Sequence, residues 1–242
     1  MKWDHIQSIK EILRHAFFKL GGERILYKYA QNRGFIIDHL DRENPAQRFS
    51  SIYNLGVWVD SDGQKSLSGI GSEEIATAHL NTTLPSLLNQ LDCCTLLDVG
   101  CGDWNWMRNI DLSCEYVGVD IVPEIIEANR RYERPGISFK VADAIAGPLP
   151  EADVALCREV LFHLSFRDGR AALTSISSAA RWLIATTDTT IWFNGDIRTG
   201  DYRKLNLQKS PYYLPPPYKV ISDHAVSPGR VLGVWATADL PI

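Results

Sequence analysis

LLDVGCGDWNWM, Leu96 to Met107, and YVGVDIV, Tyr116 to Val122, are the two stretches whose reading decides the fold of this chain. The first is an apolar run ending in Asp98, followed by a turn with Gly100 and Gly102, and a helix is predicted over 104–110. The second is another apolar run ending in an acid, Asp120, 22 positions after Asp98. A buried strand, a glycine turn and an acid at the tip of the next strand together make a nucleoside pocket. The glycines let backbone approach a ligand, and the second acid can accept bonds from two ribose hydroxyls. A bare glycine pair is an ordinary turn in most sequences. Its place between a buried strand and a helix is what points to a ligand site. The other reading of Asp120 is a solvated acid at a strand end. A third glycine of a dinucleotide fingerprint would fall at 105, where Asn105 stands, and Trp104 and Trp106 crowd the turn. A pyrophosphate cradle is therefore disfavoured, and a ligand with one ribose and no phosphate fits better.

Outward from this stretch the pattern alternates. Apolar runs at 95–99, 116–121, 137–141, 153–157 and 182–187 are mostly separated by predicted helices at 104–110, 123–132 and 166–180. Such alternation predicts an α/β domain with a parallel sheet covered on both faces. KVISDHAV and RVLGVWATA, joined through Ser227-Pro228-Gly229, read as a terminal antiparallel pair. Upstream, Ser72 is expected to cap a helix with Glu73 and Glu74 in its first turn, running to about Leu91 past Pro85. Residues 51–71 read as irregular, and SLSGIGS, Ser66 to Ser72, which contains Gly71, is expected to close one side of the pocket or to act as a linker. Residues 1–50 read as helical, with Ile6, Ile9, Leu13, Ala16, Phe17 and Leu20 at helix spacing. A cap packed on the main domain is expected there. A helix lying on a membrane is the weaker reading, because the polar face is not strongly basic. The expected division is a cap and pocket-closing segment, 1–66, and a main domain, 67–242, carrying an insert at 188–218.

The totals bound the rest. The 242 residues are 45% hydrophobic, ample for a core, and the net charge of −4 argues against a nucleic-acid partner. No apolar run reaches the roughly 18 to 20 residues of a membrane span, and the N-terminus lacks a signal-peptide core. The odd count of five cysteines, with no CxxC spacing, fits a reducing, cytoplasmic setting. The six histidines are scattered with no ligand-spaced pair, so no metal is expected. Oligomeric state is not legible.

Asp143 follows the third strand in KVADA. An acid there can hydrogen-bond an adenine amino group, or it is a solvated turn residue. Leu96–Met107, Tyr116–Val122, Phe139–Ala144 and Asp153–His163 together resemble the class I S-adenosylmethionine-dependent methyltransferases, in motif order across about 67–187. One departure stands out: Trp104 occupies a position where that family commonly has glycine. The resemblance implies a Rossmann-like, doubly wound, mostly parallel seven-stranded sheet with a terminal antiparallel hairpin and, here, an N-terminal helical cap. It implies S-adenosylmethionine as cofactor and S-adenosylhomocysteine as product. Gly100 and Gly102 would lie against the amino-acid part, with Asp98 orienting that loop. Asp120 would hold the ribose, Ile121 would lie against the adenine, and Asp143 and Ala144 would meet its edge. Gly71 would close the pocket. Cys157 and Arg158 would sit near the sulfonium and the acceptor, with core packing the competing reading for Cys157. GCGDWNWM, VDIVPEII, LCREVLFHLS and the segment from Asn194 to Pro217 further resemble a bacterial subgroup of poorly defined substrate, associated with glycan or specialised small-molecule pathways.

For the acceptor side, His163 is the candidate general base, at the carboxyl edge where open α/β sheets place ligands; a structural histidine is the alternative. Arg158 either binds an anionic acceptor group or pairs with Glu159 or Asp103. The 188–218 insert interleaves polar groups with aromatics and reads as a substrate lid, with Asn194, Arg198, Tyr202 and Arg203 as candidate acceptor-binding residues. The expected activity is methyl transfer to an O or N atom of a polar small molecule, a sugar or specialised metabolite. The alternatives are a protein or peptide methyltransferase, a nicotinamide oxidoreductase, and an inactive cofactor-binding partner subunit.

Overall fold

A computed structural model describes residues 2–59, 63–225 and 227–242, with backbone only for 2–8 and 10, so the side chain of Ile6 lies outside the described residues. Three N-terminal helices, α1 (Lys2–Lys19), α2 (Glu23–Asn32) and α3 (Pro45–Leu55), precede the sheet. Asn44 starts α3 by accepting from the Gln47 amide at 2.9 Å, Pro45 sits in the first turn, and Gly56 ends it in the left-handed region. α4 (Glu74–Thr77) and α5 (Leu80–Gln90) lead into β1 (Thr95–Val99). Then follow β2 (Glu115–Asp120), α6 (Pro123–Asn129), β3 (Ile137–Val141), β4 (Ala152–Cys157), α7 (Phe166–Ala179), β5 (Ala180–Asp188), β6 (Lys219–Ser222) and β7 (Arg230–Ala236).

The seven strands form one sheet in the order β3-β2-β1-β4-β5-β7-β6. β1 to β5 are parallel, and β7 runs antiparallel to both β5 and β6. The expected doubly wound, mostly parallel sheet with a terminal antiparallel hairpin is therefore present. The two sides of β1 feed different cores because side chains alternate along a strand. Leu97 and Val99 join Cys157, Leu173 and Ile176 beneath α7, whereas Leu96 joins Leu84, Leu88, Trp104 and Met107 on the other face. The chain winds outward from β1 through β2 to β3, then returns to place β4 on the opposite side of β1, with Asp98 beside Leu156. The order reverses between β1 and β4, and open α/β sheets hold their ligands in the crevice such a reversal creates.

Several local expectations are corrected. The helix expected over 104–110 is only a 3-10 turn at Met107–Asn109, because Trp104 adopts a φ of +56° and buries its ring against Tyr116 and Phe139. Packing of one indole outweighs helix propensity here. Ser72 does not cap a helix. It ends a 3-10 turn, Ile70–Ser72, and Glu73 occupies the N-cap of α4 without a side-chain bond. The single helix expected up to Leu91 is two, α4 and α5, and Pro85 lies inside α5. Residues 51–55, read as irregular, complete α3. The 189–218 stretch has no regular secondary structure, as its composition predicts.

Candidate active site

A cavity of about 450 Å³ opens at the carboxyl edge of the sheet, and the ends of β1, β2 and β4 line it. Its first wall is the turn after β1. Gly100 and Gly102 have φ of +74° and +55°, conformations that side chains with a Cβ resist. A Cβ on Gly100 would lie 2.4 Å from Val160 Cγ2, and one on Gly102 would lie 2.3 Å from Ser68 Oγ. The glycines are thus required by close packing of the turn against neighbouring protein as well as by its conformation.

Asp120 ends β2 and binds this turn directly. One carboxylate oxygen accepts from the Gly102 amide at 3.1 Å and the other from the Val122 amide at 3.0 Å. A carboxylate has about four acceptor sites, so two bonds leave capacity for further donors. Burial raises its pKa to about 6, against the opposing bonds from the Val122, Gly102 and Ile121 amides. Asp98 is deeper, and the Tyr116 hydroxyl donates to it at 2.7 Å. Burial lifts its carboxyl to about 7, while the Tyr116 bond acts the other way. Asp143 also lines the cavity, and its side chain accepts from the Ile145 amide at 2.8 Å. Ile121 and Ala144 flank these acids on the wall, and Gly71 stands on the same wall.

The strand β4 delivers a second group. Arg158 reaches the cavity, yet its guanidinium is committed elsewhere: it donates to the Gly71 carbonyl at 2.9 Å and to the Asp223 carboxylate at 3.2 Å. The expected pairing of Arg158 with Glu159 or Asp103 is therefore replaced by one with Asp223, which the hairpin β6–β7 brings in from 65 positions away. Asp103 instead accepts from the Leu67 amide and the hydroxyls of Ser66 and Ser68, which fastens the 66–72 loop to the β1 turn. Glu159 has a φ of +65° and pairs with Arg230 at 2.5 Å, both on the cavity wall. Burial raises the Glu159 pKa, and Arg158 and Arg230 oppose that rise. A non-glycine residue held in the left-handed region beside a cavity is the kind of strain that clusters at functional sites.

The remaining wall is aromatic. His163 lies 5.0 Å from Trp58 and 5.8 Å from Tyr202 between ring centroids, and Trp58 packs edge-on to Tyr53 at 5.3 Å. His163 Nδ1 is 2.9 Å from the Asp201 carbonyl oxygen. Burial pushes the imidazole pKa down to about 4, and the Asp201 contact opposes that shift.

Of the residues singled out in the sequence, the cavity gathers Asp98, Gly100, Gly102, Asp120, Ile121, Asp143, Ala144, Gly71, Arg158, His163 and Tyr202. Four stand off its wall. Cys157 is buried in the core under α7, where the alternation of β4 turns it. Asn194 donates to the carbonyls of Asn206 and Ser210, bracing its own segment. Arg198 pairs with Glu23 and donates to the Leu40 carbonyl, binding α2 and the following turn. Arg203 is fully buried, stacks on Phe166 and donates to the Tyr212 hydroxyl. The polar groups of this segment thus organise the segment itself, and Tyr202 is the candidate from it that reaches the cavity.

Phe49, Tyr53 and Trp58 were not singled out for the site, and neither was Arg230. Tyr53 and Trp58 flank the end of α3, where aromatic density was a usable signal. For Arg230 the sequence carries none, because only the pairing of β7 with β5 brings it within reach of Glu159, just past the end of β4. Among the described residues no group of three or more His, Cys, Asp or Glu side chains is arranged to hold a metal ion.

Residues 97–183 match the family described as a methyltransferase domain. The chain is similar in structure to the N-methyltransferase NodS from Bradyrhizobium japonicum WM9, with a TM-score of 0.52 and 16% identity, over 68% of this chain and 98% of that one. It is also similar to the methyltransferase domain of bacterial CtHen1-C, with a TM-score of 0.47 and 18% identity over 66% and 98% of the two chains. Magnesium protoporphyrin IX methyltransferase (ChlM) from Synechocystis PCC 6803 matches with a TM-score of 0.47 and 16% identity over 61% and 78%. No curated protein matches by sequence. Residues 97–183 are thus similar in sequence to a methyltransferase domain, and the chain has the Rossmann-like α/β methyltransferase fold, with a glycine turn after β1, an acid at the tip of β2 and β7 inserted antiparallel beside β5.

Proposed function

We propose that this protein is an S-adenosylmethionine-dependent methyltransferase acting on an O or N atom of a polar small molecule, a sugar or specialised metabolite, in the cytoplasm. The observation that carries the reading is the Asp120 carboxylate. It is buried at the tip of β2, bonded to the Gly102 amide, and still has acceptor capacity on the cavity wall. Bound S-adenosylmethionine supplies an activated methyl group. Asp120 holds the ribose hydroxyls, Asp143 and Ala144 meet the adenine edge beside Ile121, and Gly100, Gly102 and Gly71 frame the amino-acid end. Asp98 stands beside the turn on the cavity wall and accepts from the Tyr116 hydroxyl.

On the acceptor side the chain positions a nucleophile and excludes water. Trp58, Tyr53 and Tyr202 supply flat faces that suit a sugar or another ring. His163 carries its proton on Nδ1, because a carbonyl oxygen only accepts, and so Nε2 is left to take a proton or hydrogen bond from the acceptor. Its depressed pKa keeps it neutral throughout the physiological range. Arg158 acts through the loop: its bond to the Gly71 carbonyl holds the closing segment against β4. Calorimetric titration with S-adenosylmethionine and S-adenosylhomocysteine tests the reading. Micromolar binding of either supports it and directs a screen of polar metabolites for methyl uptake. A folded protein that binds neither refutes it.

A further inference from the structure

Helices α1 and α2 leave much of their apolar side exposed. Helix α1 docks through one face: Arg14 bonds the Asp201 carboxylate and donates to the Tyr202 carbonyl at 3.1 Å, His15 Nδ1 accepts from the Asp196 amide at 3.1 Å, and Glu11 is buried against Gly195. At 3.6 residues per turn, Ile9, Leu13, Ala16, Phe17 and Leu20 fall within an arc of about 100° on the opposite side. Leu13 is 65% exposed and Leu20 85%. Past the Gly21-Gly22 corner, where the Phe17 ring lies against Gly22, α2 exposes Ile25 and Tyr29 by 65% and 63%, and Phe35 follows. A run of large exposed apolar side chains on consecutive elements marks an interaction surface.

The exposed charge within residues 12–36 has one sign. Lys19, Arg24, Lys28 and Arg33 are exposed. The acids among residues 12–36 reduce to Glu23, which is partly covered and pairs with Arg198. Residues 12–36 therefore carry four exposed cations and no exposed acid, with exposed Asp38 held by Gln31 of α2 just beyond them, although the whole chain has a net charge of −4. Two such faces meeting in an isologous dimer would bring like charges together. An apolar stripe with cations beside it instead matches the interface of an anionic bilayer, where apolar side chains enter the acyl boundary and Lys and Arg meet headgroups. We propose that α1 and α2 form a peripheral docking surface for anionic phospholipid membranes. No described helix is long and apolar enough to cross a membrane, so the contact is interfacial. The inference is independent of the acceptor and of the methyl-transfer reading.

The full chain is mixed with vesicles of phosphatidylcholine alone and of phosphatidylcholine with phosphatidylserine, and sedimented at low and high salt. The expected result is binding to the anionic vesicles that weakens with salt, and far less binding to the neutral ones. Arg24→Ala with Lys28→Ala should weaken binding by about fivefold for each cation removed. Leu13→Asp with Leu20→Asp and Ile25→Asp should abolish it, with thermal melting reporting that the fold is kept. If the triple variant melts early, the Arg24 and Lys28 variant alone decides. Absence of binding, or equal binding to both vesicle types, overturns the proposal. So does a concentration-dependent dimer that the apolar substitutions dissolve while vesicles bind nothing, which would assign the face to a second copy.

Discussion

His163 and Asp201 stand 38 positions apart, and the imidazole Nδ1 meets the Asp201 carbonyl oxygen at 2.9 Å. That contact sets the tautomer, and the Asp201 side chain is itself held by Arg14 of α1. The orientation of the candidate base is therefore decided by two segments distant in sequence.

His163→Ala should lower turnover about 100-fold or more, the usual range for a lost general base, while S-adenosylhomocysteine affinity stays close to wild type. The pKa of about 4 carries its own sign. The unfolded chain takes up a proton near 6.5 and the folded one only near 4, so stability from this group is lost as pH falls through that window. An NMR titration of the His163 ring should show a midpoint near 4. A midpoint near 6.5 would mean that the ring is not buried as described.

Asp120→Ala should weaken S-adenosylhomocysteine binding tenfold or more, about 1–3 kcal/mol for a charged hydrogen-bonding partner. The ionised carboxylate is the better acceptor for ribose hydroxyls, and burial raises its pKa to about 6. Affinity should therefore rise as pH rises through 6. In Asp120→Asn that rise should vanish, which calorimetry at several pH values will show.

Gly102→Ala should cost more than Gly136→Ala, although both glycines have positive φ. At Gly136 nothing lies within 4 Å of an added Cβ, so the cost is conformational strain alone, about 1–2 kcal/mol. At Gly102 the methyl also strikes Ser68 Oγ, which binds Asp103. Denaturant titration should rank the two variants in that order, and only Gly102→Ala should also weaken S-adenosylhomocysteine binding.

Arg158→Ala leaves Asp223 buried without its guanidinium partner and frees the Gly71 carbonyl. Breaking a buried pair from one side costs about 3–5 kcal/mol. Arg158→Met combined with Asp223→Leu removes both charges and should recover much of that loss in urea denaturation. Recovery of stability without recovery of cofactor affinity would separate the tether on the 69–72 loop from the ion pair itself.

What the chain determines locally is written in its residue order. The apolar runs of β1, β2 and β4, five or six residues each, are strands largely buried on both faces, and that burial makes them continuous apolar runs, legible without any tertiary information. The glycine turn and the acid at the next strand tip are equally local, because adjacent parallel strands bring their ends together. Tertiary structure alone decided the rest. Trp104 is a left-handed residue and not a helix start, since its ring fills the core against Tyr116 and Phe139. Arg158 meets Asp223 and Glu159 meets Arg230 because β7 pairs with β5 across more than 40 intervening positions. Asn194, Arg198 and Arg203 have the composition of a binding loop, yet backbone without regular structure must find its hydrogen bonds somewhere, and these side chains help to satisfy and anchor it. Such long-range pairings depend on which chain segments the fold brings within reach, and that is not carried by spacing along the sequence.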